Sequence, residues 1–288
     1  MGDWSLVVPH AEAVRSSGLH LAAPHPALAG EVLGYSGREQ VLDAPLRWRP
    51  AVLGAVTVTL DLETPSRMLL DEEGANPHPR DPVLGLRSRP LALAEEPGLV
   101  RTLTVGLSPA AAYALLGVPL GELPPDGVAL ERLLGRHATL LTEQVAEAAT
   151  WRRRFALVDR FLTARLPHGP RPAPEVEHAW QRLSRTGGAL RIAALAEEVG
   201  WSRQHLHERF RAELGLPPKV VARMRRLHRA VGLLATRTPA AEVAHFCGYA
   251  DQAHFTRDFR ALTGSTPGEF VSSRPCAGPR GRPAGRSA

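Results

Sequence analysis

"GYADQAHFTRDFRALTGSTPGEF", residues 248–270, opens on a glycine–aromatic pair, runs through an amphipathic segment and closes on a second glycine and a proline. The same order of residues occurs once before in the chain. "LAEEVGWSRQHLHERFRAELGLPP" (195–218) aligns with "VAHFCGYADQAHFTRDFRALTGSTP" (243–267). Ala196, Gly200 and Trp201 match Ala244, Gly248 and Tyr249 at a separation of 48. Ser202, Leu206, Phe210, Arg211, Gly215 and Pro218 match Asp251, Phe255, Phe259, Arg260, Gly264 and Pro267 at a separation of 49. The extra residue falls in the turn, where insertion is tolerated.

Each copy has one physical reading. A short helix ends at a glycine, which reaches φ > 0 without strain. An alanine four residues earlier lets a second helix cross closely. A Ser or Asp then caps that second helix. Its buried face is Leu206 and Phe210 in one copy, Phe255 and Phe259 in the other. This is a helix-turn-helix, present twice. One match would be weak, because helical hairpins are common; two with parallel glycines, caps, aromatics and prolines are specific.

"PPKVVARMRRLHRAVGLLATRTP" joins the copies, with Pro217 and Pro218 suited to a helix start and Val220, Val221, Met224, Leu227, Val231 and Leu234 forming one apolar stripe. A helix of about 18 residues is roughly 27 Å long. Such a strut lets two recognition helices lie about one DNA turn, roughly 34 Å, apart.

On these residues, 180–274 resembles the DNA-binding domain of the AraC/XylS family of transcription regulators. The resemblance rests on "GWSRQHLHERF", "GLPP", "GYADQAHFTRDFRALTGSTPGEF" and the linking helix, and covers about a third of the chain. "GLSPAAAYALLGVP", "ERLLG" and "RFALVDRFL" more weakly resemble the N-terminal region of an actinobacterial-type subgroup of these regulators. The resemblance implies a regulator, an activator by analogy, that works with RNA polymerase.

Outward side chains near the N-terminus of a recognition helix reach base edges. In the first copy these are Arg203, Gln204, His207 and Glu208; in the second, Gln252, Ala253, His254 and Arg257. Arg257 suits guanine O6/N7, Gln204 and Gln252 suit adenine N6/N7, and Glu208 suits cytosine N4. Arg211 and Arg260, after the buried Phe of each copy, are candidates for phosphate, as are Arg223, Arg225, Arg226 and Arg229 of the linking helix. His205 and His254 hold equivalent places, which favours a structural or phosphate-contacting role over a metal.

Charge is unevenly spread. Residues 1–174 hold seventeen Arg and nineteen Asp and Glu, a net of −2; residues 175–274 reach +5, and 275–288 add +3. A basic back half points to a polyanion such as double-stranded DNA. The two cysteines, Cys247 and Cys276, build neither a disulfide framework nor a metal site, so a reducing cytoplasm is expected. No apolar run has the roughly 18 residues of a membrane span, and "MGDWSLVVPH" lacks the features of a secretory signal. No metal and no cofactor are expected.

"PHGPRPAP" (167–174), with four prolines, marks a linker. The fold class expected is α+β: a β-rich effector-binding, sensor-like domain at 1–127, a helical connector or dimerisation region at 128–166, the linker, an all-α DNA-binding domain at 175–274, and a disordered basic tail at 275–288. "AVTVTLDLE" (55–63) and "LVRTLTVGL" (99–107) alternate as half-buried strands do. "GANPHPRDP" (74–82) reads as a loop. "SPAAAYALLGVP" reads as a helix capped by Ser108, opened by Pro109 and stopped by Gly117. Residues 130–166 read as helical throughout, with apolar stripes that pack on the β domain or on a second copy of the chain.

Two other functions compete. An enzymatic or repair domain in residues 1–166 would need a nucleophile, phosphate loop or metal set; His10, His20, His25 and His78 are isolated. An architectural DNA binder would not need two different polar recognition helices. The balance favours a non-enzymatic regulator with a front domain that senses a small-molecule effector, dimerises, or both.

Overall fold

The computed structural model describes residues 14–49, 54–63, 67–70, 74–89, 91–236 and 238–272. The expectations for residues 1–13, for Cys276 and for the tail at 275–288 fall outside these.

The front half is a two-sheet structure with helices on one side. A six-stranded antiparallel sheet has the order β1 (Val14–Ala22), β2 (Val32–Leu42), β9 (Gly98–Leu107), β4 (Val56–Asp61), β7 (Pro82–Leu84), β10 (Val128–Ala129). A smaller sheet has the order β3 (Leu46–Trp48), β8 (Ala92–Glu95), β5 (Arg67–Leu70), β6 (Ala75–Pro77). The alternation read in residues 55–63 and 99–107 becomes β4 and β9, paired with Val58 opposite Val105 and Leu60 opposite Leu103. The segment 74–82 is not all loop, because Ala75–Pro77 pairs with β5.

Alternation sends two chemistries to the two faces of the large sheet. Tyr35, Val58, Leu60, Leu103 and Val105 face the helices and are buried. Ser36, Arg38, Thr59, Asp61, Thr102 and Thr104 face the small sheet. There Arg38 Nη1 donates to Glu95 at 3.1 Å, Arg67 Nη2 to Asp61 at 2.9 Å and Arg67 Nε to Glu95 at 3.3 Å. Two arginines and two carboxylates thus tie β2 and β4 of one sheet to β5 and β8 of the other. A buried charge tolerates the loss of water only when it is paired in this way.

Helix α1 (Pro109–Leu116) has the expected ends: Ser108 Oγ accepts from the Ala111 amide at 3.2 Å, and Gly117 sits at φ 73°. Residues 130–166 are helical in three pieces, α2 (Leu130–Leu134), α3 (Arg136–Glu147) and α4 (Trp151–Arg165), instead of one run. Gly135 at φ 56° breaks the first join, and Thr150 caps α4. The stripes of α3 and α4 pack on their own β domain: Leu141, Val145, Phe155, Val158 and Leu162 are buried, and Phe155 stacks on Tyr35 at 5.7 Å. Gly37 on β2 makes room for α4, since a Cβ there would lie 2.3 Å from the Trp151 ring.

The proline-rich stretch runs from a 3-10 turn at Leu166–His168 into α5 (Pro174–Arg185). It is pinned along its length. Gly169 abuts the Ala114 carbonyl, Arg171 pairs with Glu31, and the Ala173 amide donates to Glu213 at 2.7 Å. Beyond it lie α6 (Ile192–Glu198), α7 (Arg203–Leu214), α8 (Pro218–Ala235), α9 (Ala240–Phe246), α10 (Gln252–Thr263) and α11 (Pro267–Ser272). The back half is therefore entirely helical among its described residues. No helix among the described residues is long and apolar enough to cross a membrane.

Candidate nucleic-acid interface

The two repeated units are built alike to the level of single hydrogen bonds. After α6, Gly200 turns at φ 71° and the Trp201 amide donates to the Ala196 carbonyl at 2.9 Å. After α9, Gly248 turns at φ 73° and the Tyr249 amide donates to the Ala244 carbonyl at 3.0 Å. Each turn closes the last carbonyls of its first helix in the manner of a Schellman cap. The second helix then starts on a capping oxygen. Ser202 Oγ accepts from the His205 amide at 3.1 Å, and Asp251 Oδ1 from the His254 amide at 2.6 Å. Leu206 and Phe210 of α7, and Phe255 and Phe259 of α10, are completely buried. Both helices end on left-handed glycines, Gly215 and Gly264.

This packing fixes which side chains face outward. Arg203, Gln204, His207 and Glu208 are exposed on the first turns of α7, and Gln204 Nε2 donates to Glu208 at 3.0 Å. Gln252, Ala253 and Arg257 are exposed on α10. His254 is placed differently. It is half-buried and meets Tyr249 edge-on at 5.3 Å, as His205 meets Trp201 at 4.5 Å. The repeated histidines both brace the turn. The repeat register of 49 puts Thr256, not His254, at the place of His207. Thr256 was legible from that register and is an addition to the outward set; it is half-buried.

The remaining arginines divide. Arg260 is exposed near the end of α10, and Arg211 is exposed at the end of α7, where it lines clefts shared with the front domain. On α8, Arg223 is committed to Asp258 through a forked contact of 2.7 and 3.2 Å. Arg225 lies over the Trp180 ring at 4.4 Å, and burial pushes its guanidinium down to about 10. Arg226 covers Tyr249 at 5.2 Å. Of the linking-helix arginines named from sequence, only Arg229 is exposed; the other three hold α8 to its neighbours. Burial raises the Cys247 thiol, so it stays protonated and packs as a small apolar group. Among the described residues, no group of three or more His, Cys, Asp and Glu side chains is placed to hold a metal ion.

Two helix-turn-helix units in series on one long helix, each presenting a polar helix start, define a DNA-binding domain. Residues 195–273 match the helix-turn-helix domain family, and the chain carries an AraC-type domain of this class at its C-terminal end. The arabinose operon regulatory protein of Salmonella typhimurium is 32% identical over 139 residues, which are 47% of this chain and 47% of that one. Its Escherichia coli counterpart is 38% identical over 80 residues, 27% of each chain. The chain thus spans half or less of the curated relatives it matches. The structure of ToxT from Vibrio cholerae is similar over 83% of this chain and 98% of its own, with a TM-score of 0.51 at 11% identity, which shows a shared fold.

Proposed function

We propose that the protein is a sequence-specific transcription regulator that places α7 and α10 in successive major grooves of double-stranded DNA. The observation that carries this reading is the identical construction of the two units about α8, with different exposed side chains on each helix start. Arg203, Gln204, His207 and Glu208 read one segment; Gln252, Ala253, Thr256 and Arg257 read the other. His254 orients the second turn. Arg211 and Arg260 are the candidates for phosphate.

The front domain is read as a non-enzymatic unit that senses a small molecule and passes its occupancy to the DNA-binding half across the shared seam. Activation through RNA polymerase, action in the cytoplasm and pairing of two copies belong to the same proposal. Since the stripes of α3 and α4 are spent within the chain, pairing would use other surfaces. Selection of bound sites from random DNA tests the reading. A single enriched motif with two segments about one helical turn apart is the expected result, and enrichment of no motif would exclude it.

A further inference from the structure

The two reading helices are held by different means. On α10, Asp258 turns toward α8 and accepts from Arg223 twice, from Nη2 at 2.7 Å and from Nε at 3.2 Å. Both side chains are half-buried, so the pair is partly shielded from water. A planar fork of this kind sets direction as well as distance. Its place on the helix matters. Asp258 directly follows Arg257, the outward arginine, and lies one turn beyond His254, which meets the Tyr249 ring edge-on. Arg226, about one turn along α8 from Arg223, covers that same ring at 5.2 Å. Neighbouring side chains on a helix are about 100° apart. Holding Asp258 against α8 therefore decides where Arg257 points.

The first unit is anchored otherwise. At the repeat register of 49, Asp258 corresponds to Arg209. Arg209 pairs within its own helix, with Glu213 at 2.6 Å, and Glu213 accepts from the Ala173 amide of the linker. The front domain backs α7 directly: a Cβ on Gly121 would fall 2.5 Å from the carbonyl oxygens of Arg211 and Ala212. The fork to α8 thus belongs to the second unit and not to the repeat as such.

We propose that Arg223 is a positioning residue for base recognition: through Asp258 it sets the rotation of α10 about its axis, and so which base edges Gln252 and Arg257 reach. This role rests on the reading of the chain as a regulator, and it gives Arg223 no contact with DNA. Side chains that read a ligand must be held within roughly 0.5 Å and 10–20° of their working geometry. Without the fork, α10 samples neighbouring rotations and its base preference blurs, while α7 keeps its own.

Sites are selected from random DNA with the full-length chain, with Arg223→Met, with Asp258→Asn, and with the reversed pair Arg223→Asp and Asp258→Arg. Competition titrations then measure discrimination at each base pair. Each single variant is expected to lower discrimination in the α10 segment by about fivefold, the scale of one coupled pair. The α7 segment keeps its bases, and the reversed pair recovers the α10 preference. Loss of a phosphate-binding cation would instead lower the log–log salt slope by about one; Arg223→Met is expected to leave the slope unchanged. Circular-dichroism melting establishes that each variant is folded. Should Arg223→Met fail to fold, the near-isosteric Asp258→Asn decides. Wild-type discrimination in the folded variants, equal loss in both segments, or a slope lowered by one with no segment-specific loss overturns the role. A wild-type motif that these variants leave unmoved removes this role alone; no motif with the wild type removes the regulator reading and this role with it.

Discussion

Arg257 is the outward cation in the first turns of α10 and has no ion-pair partner among the described residues, whereas its counterpart in the first unit, Glu208, is tied to Gln204 at 3.0 Å. The two units therefore present opposite charges at one register position, and the two DNA segments should differ there. Arg257→Ala is expected to weaken binding to the selected site by about 1–3 kcal/mol and to relax preference at one base pair; repeating the site selection with the variant measures both. Within the front domain His78 is buried, and burial, followed by the Arg67 cation, lowers its pKa from 6.5 to about 4. The native state then binds fewer protons than the unfolded one between these values. His78 contributes stability that is fully present above about pH 6.5 and is lost as pH falls toward 4, up to about 3 kcal/mol. Denaturant midpoints at about pH 7 and pH 4 should differ by less in His78→Leu than in the wild type.

At the scale of elements, the turns decide. Gly248 at φ 73° has open space where a Cβ would be, so its requirement is backbone conformation and not room. Gly248→Ala is expected to cost about 1–2 kcal/mol, and Gly248→Asn less, because asparagine tolerates the left-handed region. Equal melting temperatures for all three chains would remove the argument. Such turns were legible in the sequence because their chemistry is local: a glycine, a cap three residues before the amide it serves, an aromatic at fixed spacing. The outward residues of α7 and α10 were legible for the same reason. What was not legible depends on distant partners. Nothing near Arg38 announces Glu95, which is 57 residues away, and nothing near Arg223 announces Asp258, 35 residues on. Three of the four α8 arginines meet internal partners, Asp258, Trp180 and Tyr249: a basic stripe on a helix reads alike whether solvent, DNA or another helix faces it.

For the whole molecule, the positive balance of residues 175–274 sets the response to salt. With Arg223, Arg225 and Arg226 engaged internally, we expect DNA attraction to come from the recognition helices, Arg229 and the ends of α7 and α10. About six phosphate contacts give a log–log slope near −5 for affinity against salt. Titrations over a range of salt concentrations check it, and a slope near zero would mean that backbone electrostatics are not the source of affinity. Sedimentation of the free and DNA-bound chain tests pairing in the same samples.

The pinned linker gives the seam a chemical signature of its own. Between Gly169 and Ala173 the chain has no regular element, yet it is clamped by Ala114, Glu31 and Glu213. Proteolytic nicking concentrates on exposed, accessible chain and spares backbone held by contacts. While the halves are docked, proteinase K should spare this segment; when they part, it becomes an accessible cleavage site, releasing a helical C-terminal fragment. The rate of that single cut is thus a clock for domain separation, and Glu213→Gln, which weakens the clamp at Ala173, should make it run faster.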